Sequence, residues 1–70
     1  MERKQVKSSN ILSVGYDPEK KILEIEFSTG RVYQYSNVPQ WEYDTFIKAE
    51  SIGKYFYRSI KGHYEFKKIT

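Results

Sequence analysis

Between Asn10 and Ser36 the chain alternates apolar and polar positions in three short runs, "NILSVGY", "KILEIEFS" and "RVYQYS". Period-two alternation rich in β-branched and aromatic residues predicts strands, and the turn residues between the runs predict an antiparallel meander. In "DPEK", Asp17 and Pro18 suit the first two positions of a type I turn, because proline's fixed φ matches the second. A four-residue loop there would pair Tyr16 with Lys21, Val14 with Leu23 and Leu12 with Ile25. In "STG", a two-residue Thr-Gly turn would force β-branched Thr29 to positive φ. A three-residue loop with Gly30 in the left-handed position is therefore favoured.

The second turn fixes which face carries which residues. It pairs Phe27 with Arg31, Ile25 with Tyr33 and Leu23 with Tyr35, and directly opposed residues share a face. Tyr33 and Tyr35 then join the apolar row Leu12, Val14, Leu23, Ile25 and Phe27 and are read as core. Ser13, Glu24, Glu26, Gln34 and Ser36 fall on the other face, the alternation of a sheet covered on one side only.

After the strands the period lengthens. Pro39 suits a first helical turn, with Ser36 or Asn37 as caps, and a helix is expected to about Glu50. Its apolar stripe is Tyr43, Phe46, Ile47 and Ala49, while Glu42, Asp44 and Lys48 occupy the remainder. Trp41 fits either a core edge or an exposed ring. A second helix is expected from Ser51, whose hydroxyl can cap it, to Gly62, with Ile52, Phe56 and Ile60 as its core stripe. In the last segment Tyr64, Phe66 and Lys68 alternate against His63, Glu65 and Lys67, either adding an edge strand or lying extended. The expected fold is α+β: a three-stranded antiparallel meander followed by two helices packed on one face, with that optional short C-terminal strand.

Composition narrows what such a fold can do. Seventy residues make one small domain, here residues 8–70, preceded by a flexible basic N-terminus at residues 1–7. Aromatic residues make up 17% of the chain, so its apolar content is concentrated in a few large rings that can build a core. There is no cysteine, hence no disulfide and no thiolate metal site, and a cytoplasmic location is expected. The N-terminal "MERKQVKSSN" leads into no apolar signal region, and no window approaches the ~20 apolar residues of a membrane span. The net charge of +3 is terminal: residues 1–10 carry +2 and residues 51–70 carry +4, with an acidic middle. That placement suits local attraction of a polyanion.

Taken together, "SSNILSVGYDPEKKILEIEFSTGRVYQYSNVP", the Tyr43/Phe46/Ala49 spacing, "SIGKYF", Ile60, Lys61, Tyr64 and Ile69 resemble the KTSC domain, a small module named from the C-terminus of some lysyl-tRNA synthetases. The resemblance runs from about Ser8 to Ile69, and its central mark is the YxY element, Tyr33-Gln34-Tyr35. It implies a module that also stands alone in bacteria and phages, and the synthetase attachment implies RNA as a partner. Glu42 stands where the family tends to be apolar, and Tyr57 where it often has asparagine.

The residues themselves supply a candidate for such a partner. Lys54, Arg58 and Lys61 are spaced by four and three, so a regular helix would line them along one face, with Lys67 and Lys68 beyond. Tyr57 and Tyr64 can stack on unpaired bases while the cations meet phosphates, the combination used in single-strand binding. Arg31 extends the patch if it projects the same way. The competing reading is a protein-interaction module that docks a partner through Trp41, Tyr57 or an open sheet edge.

Catalytic chemistry finds little support. His63 has no cysteine partner and no converging ligands, so no metal or cofactor is expected. Ser8, Ser9 and Ser13 lack a specified base. Glu24 and Glu26 read as solubilising residues on a sheet face, and the four glycines are too dispersed for a phosphate loop. The sequence therefore points to a binding module and not to an enzyme.

Overall fold

The computed structural model describes all residues, 1–70. The chain forms one antiparallel sheet of five strands in sequential order, with two short helices against one face. The strands are β1 (Lys4–Gln5), β2 (Ile11–Asp17), β3 (Ile22–Phe27), β4 (Val32–Tyr35) and β5 (Phe66–Lys68). The helices are α1 (Gln40–Ile47) and α2 (Ile52–Tyr55), the latter running directly into a π-helical stretch at Phe56–Ile60. The α+β class is as expected, but the three-stranded meander undercounts the sheet. β5 adds the edge strand that the C-terminal alternation allowed, and Lys4–Gln5, which carry no alternation to read, pair with Val14 and Ser13.

The β3–β4 hairpin has the expected register, with Ile25 opposite Tyr33 and Leu23 opposite Tyr35, and Gly30 sits at φ 93° in its turn. In the β2–β3 hairpin, Tyr16 pairs with Leu23 and Val14 with Ile25, two residues away from the expected pairing. The four-residue loop moves on by one residue, to residues 18–21. The Asp17 carboxylate accepts from the backbone N–H groups of Glu19 and Lys20, and Lys21 takes the left-handed conformation at φ 56°. A slip of two preserves the faces.

A β-bulge between Ile11 and Ser13 does not preserve them. The extra residue shifts the alternation by one, so Ile11 enters the core and Leu12, expected in the apolar row, stands 44% exposed. The core beneath the helices joins Ile11, Val14, Leu23, Ile25 and Tyr35 of the sheet to Val38, Phe46, Ile52, Phe56 and Ile60. The expected stripe of the second helix is thus buried as read. Tyr35 is core, whereas Tyr33 is only partly covered and packs against the core edge.

On the opposite face, Arg3 forms an ion pair with Glu24 at 2.8 Å, Gln34 donates to the same carboxylate, and the Ser13 hydroxyl donates to Glu26. Gly15 admits the N-terminal segment there, because a β-carbon at this position would lie 2.5 Å from the backbone oxygen of Glu2.

Both helices are shorter than expected. Pro39 itself precedes α1 in an extended conformation, neither Ser36 nor Asn37 caps it, and Lys48 ends it. Ser51 caps α2 as read, its hydroxyl accepting from the Lys54 N–H. Beyond Tyr55 the helix widens, so that the Lys61 N–H reaches back five residues to Phe56 O at 2.8 Å, and the chain then turns away at Lys61.

Candidate functional site

The widened turn decides where the cations go. A regular helix would align Lys54, Arg58 and Lys61, but across a π-helical stretch the four-and-three spacing no longer returns to the same line. Lys54 and Arg58 stay together and line an open groove of about 700 Å³ with Lys7, between the Ser8–Asn10 segment and the start of α2. Glu50 also lines this groove and is its only acidic residue. Lys61 lines a second groove of about 370 Å³ with Arg31, floored by Phe27, Tyr33, Tyr35 and Phe56.

Two residues, Asn10 and Tyr57, line both grooves. Tyr57 is 56% exposed, its ring meets Phe56 edge-on at 5.4 Å between centroids, and the Lys61 ammonium lies 4.9 Å from its centroid. That geometry is a cation–π contact. The molecule's single ion pair joins Arg3 to Glu24, so none of the groove cations is paired.

The aromatic floor is continuous. Phe66 of β5 stacks on Tyr33 at 5.4 Å, Tyr33 and Phe56 both meet Phe27 edge-on, and Phe56 also meets Tyr35. Burial, followed by the neighbouring Tyr33 and Tyr57, pushes the Tyr35 hydroxyl up to about 12.

The remaining candidates lie elsewhere. Lys67 stands opposite Gln34, on the face away from the helices, and Lys68 stands opposite Tyr33 at the sheet edge. Tyr64 turns its hydroxyl inward to Glu42 and lines neither groove. Trp41 is 63% exposed on α1 and is likewise absent from both. His63 holds the Arg58 carbonyl through Nε2 at 3.1 Å, a contact that secures the helix end. No cluster of three His, Cys, Asp or Glu side chains that could hold a metal ion is present. No helix is long and apolar enough to cross a membrane. Lys7 and Asn10 were missed from the sequence because they lie in the link between β1 and β2, ahead of the apolar positions that carry the alternation. Only the folded chain brings that segment against α2.

Glu42, assigned to the polar side of α1 by its spacing, is instead 5% exposed. It accepts from the Tyr55 hydroxyl and, at 2.8 Å, from the Tyr64 hydroxyl. Burial, and then the hydrogen bond and charge of Glu42, push both tyrosines up to about 12. The cluster ties α1, α2 and the segment leading into β5 together.

Comparison with known proteins agrees with this architecture. The KTSC domain family model matches residues 7–64. The crystal structure of a KTSC domain protein from Yersinia pestis superposes with a TM-score of 0.96 at 43% identity, covering 99% of this chain and 97% of the other. An uncharacterized protein of Stutzerimonas stutzeri is 41% identical over 70 residues, 99% of each chain. A lysine–tRNA ligase of Nostoc is 32% identical over 62 residues, which is 89% of this chain but 11% of the ligase.

Proposed function

The chain belongs to the KTSC domain family, and from that premise we propose that it is a non-enzymatic RNA-binding module of the cytoplasm, using the groove-lined face around Tyr57. The observation that carries the reading is the interleaving of ring and cation. Tyr57 projects between Lys54 and Arg58 on one side and Lys61 and Arg31 on the other, and each groove takes polyanion contacts beside an exposed aromatic. Cations position a phosphate backbone and exposed rings take unpaired bases, so this arrangement fits a single-stranded or looped RNA better than a duplex. The occurrence of the domain within lysine–tRNA ligases supports the same partner class.

An exposed ring remote from the cations would favour a protein partner. Trp41 is such a ring, and it gives the second reading, a protein-docking surface on α1. The test is an amide chemical-shift titration with total tRNA and with mixed single-stranded RNA at low and near-physiological salt. Shifts at Lys7–Asn10, Arg31 and Lys54–Lys61 that persist at the higher salt are expected. Shifts that are diffuse and vanish with salt overturn the reading and turn attention to Trp41.

A further inference from the structure

The two grooves differ in chemistry, and that difference assigns them different parts of one ligand. The larger is walled by Lys7, Lys54 and Arg58 with serine hydroxyls between them, a lining suited to phosphate and sugar. The smaller is walled by Phe27, Tyr33, Phe56 and Tyr57, with Arg31 and Lys61 at its sides. Its volume of about 370 Å³ lies at the small end of ligand pockets, which begin near 300 Å³. A ring-lined recess flanked by two unpaired cations is complementary to a flat aromatic ligand that carries negative charge on either side.

We infer that the smaller groove is a base subsite, taking one unpaired nucleobase of a single RNA strand, and that the strand passes over the saddle between Asn10 and Tyr57 into the basic groove. The inference rests on the RNA-binding reading above and adds to it which groove receives a base. The saddle is the one place where the grooves meet, since Asn10 and Tyr57 are the two residues lining both. More than half of the Tyr57 surface faces solvent even with the Lys61 ammonium against it, which leaves ring surface for stacking.

Asn10 stands at the junction of the two grooves. Its backbone is fixed, with the N–H on the Ser8 hydroxyl and the carbonyl accepting from Ser28 N–H at 2.8 Å. Its side-chain oxygen accepts from Ser9 at 3.5 Å, and its NH2 makes no hydrogen bond within the chain. That NH2 is a free donor on the basic-groove side of the saddle, 3.7 Å from where a β-carbon on Gly53 would stand, and it can meet the strand as it crosses. Arg31 and Lys61 then take the phosphates on one side of the base, and Lys54 and Arg58 those on the other.

The experiment is a fluorescence anisotropy titration with three probes: a mixed-sequence pentaribonucleotide, the same sugar–phosphate chain without bases, and an RNA duplex. The wild-type protein is compared with Tyr57→Leu, Tyr57→Phe and a Lys54→Ala/Arg58→Ala variant. Because Tyr57 is surface-exposed, each variant should retain the wild-type amide spectrum away from the substitution. Removing the bases is expected to weaken wild-type binding about tenfold, the effect of losing one stacked base. Tyr57→Leu should bind both single-stranded probes equally weakly, and Tyr57→Phe should restore the preference.

Equal binding of the base-free chain and the pentamer by the wild type, with the Lys54→Ala/Arg58→Ala variant weakened on both, overturns the base subsite and leaves the RNA reading standing. Preference for the duplex does the same, since paired bases cannot enter a recess. Failure of all three probes to bind overturns the RNA reading and the base subsite with it.

Discussion

The Tyr64 hydroxyl donates to Glu42 Oε1 at 2.8 Å, joining residues 22 positions apart, and Tyr55 donates to the other oxygen of the same carboxylate. A carboxylate removed from water survives when its lone pairs are met by donors, and these two hydroxyls are the donors the fold provides.

Removing one donor should therefore cost more than removing the whole cluster. Tyr64→Phe and Tyr55→Phe are each expected to lower stability by about 1–3 kcal/mol, because each leaves the buried carboxylate short of a partner. The triple variant Glu42→Leu/Tyr55→Phe/Tyr64→Phe, with no polar group left to satisfy, should recover most of that loss. Urea denaturation of the three proteins measures the difference. Additive losses in the triple variant would show that the cluster contributes net stability.

Two tyrosines of this cluster and the core Tyr35 set an alkaline limit. Tyr35, Tyr55 and Tyr64 titrate near 12 in the folded protein instead of the ordinary 10.0. The native state thus holds these protons more tightly than the unfolded chain. Their contribution is complete below pH 10 and is lost as pH rises from 10 towards 12. Melting temperature should be flat through neutral pH and fall across that interval, in step with tyrosinate absorbance. Glu42→Leu should lower the titration of Tyr55 and Tyr64 and leave that of Tyr35 where it is.

The bulge in β2 makes Ile11 and Leu12 unequal although they are adjacent and similar. Ile11 is fully buried and Leu12 is 44% exposed. Ile11→Ala is expected to cost about 2–5 kcal/mol as a core truncation, and Leu12→Ala less than about 1 kcal/mol. Thermal unfolding of the two variants is the check, and the reverse order would place the bulge elsewhere.

For binding, the triple variant Lys54→Ala/Arg58→Ala/Lys61→Ala is expected to lose affinity for single-stranded RNA. Its log–log salt slope should also shrink by about 2, because each phosphate contact on a single strand contributes about 0.7. A Lys67→Ala variant, altered on the opposite sheet face, should bind as the wild type does. Unchanged affinity in the triple variant would remove these cations from the interface.

The legible parts of this protein are those governed by local rules. The β3–β4 register followed from the conformational cost of Thr29 in a two-residue turn, the Ser51 cap from its hydroxyl, and the Ile52/Phe56/Ile60 stripe from periodicity. What escaped were departures from ideal period. The bulge at Leu12 and the widened turn at Phe56–Ile60 each shift side chains around an element without any change in residue type that announces it. Hence Lys54 and Arg58 line one groove while Lys61 lines the other together with Arg31.

By itself the sequence determined the α+β class, the order of the central strands, most of the core and the family, because turn chemistry and hydrophobic period act over a few residues. Only the tertiary structure decided the rest. β1 exists because the N-terminal segment finds an open edge on β2, Glu42 is buried because Tyr55 and Tyr64 reach it, and the larger groove forms because residues 7–10 lie beside the start of α2. Each of these joins positions distant along the chain, and such a contact is selected by packing and by partner satisfaction across the whole fold, which no local pattern encodes.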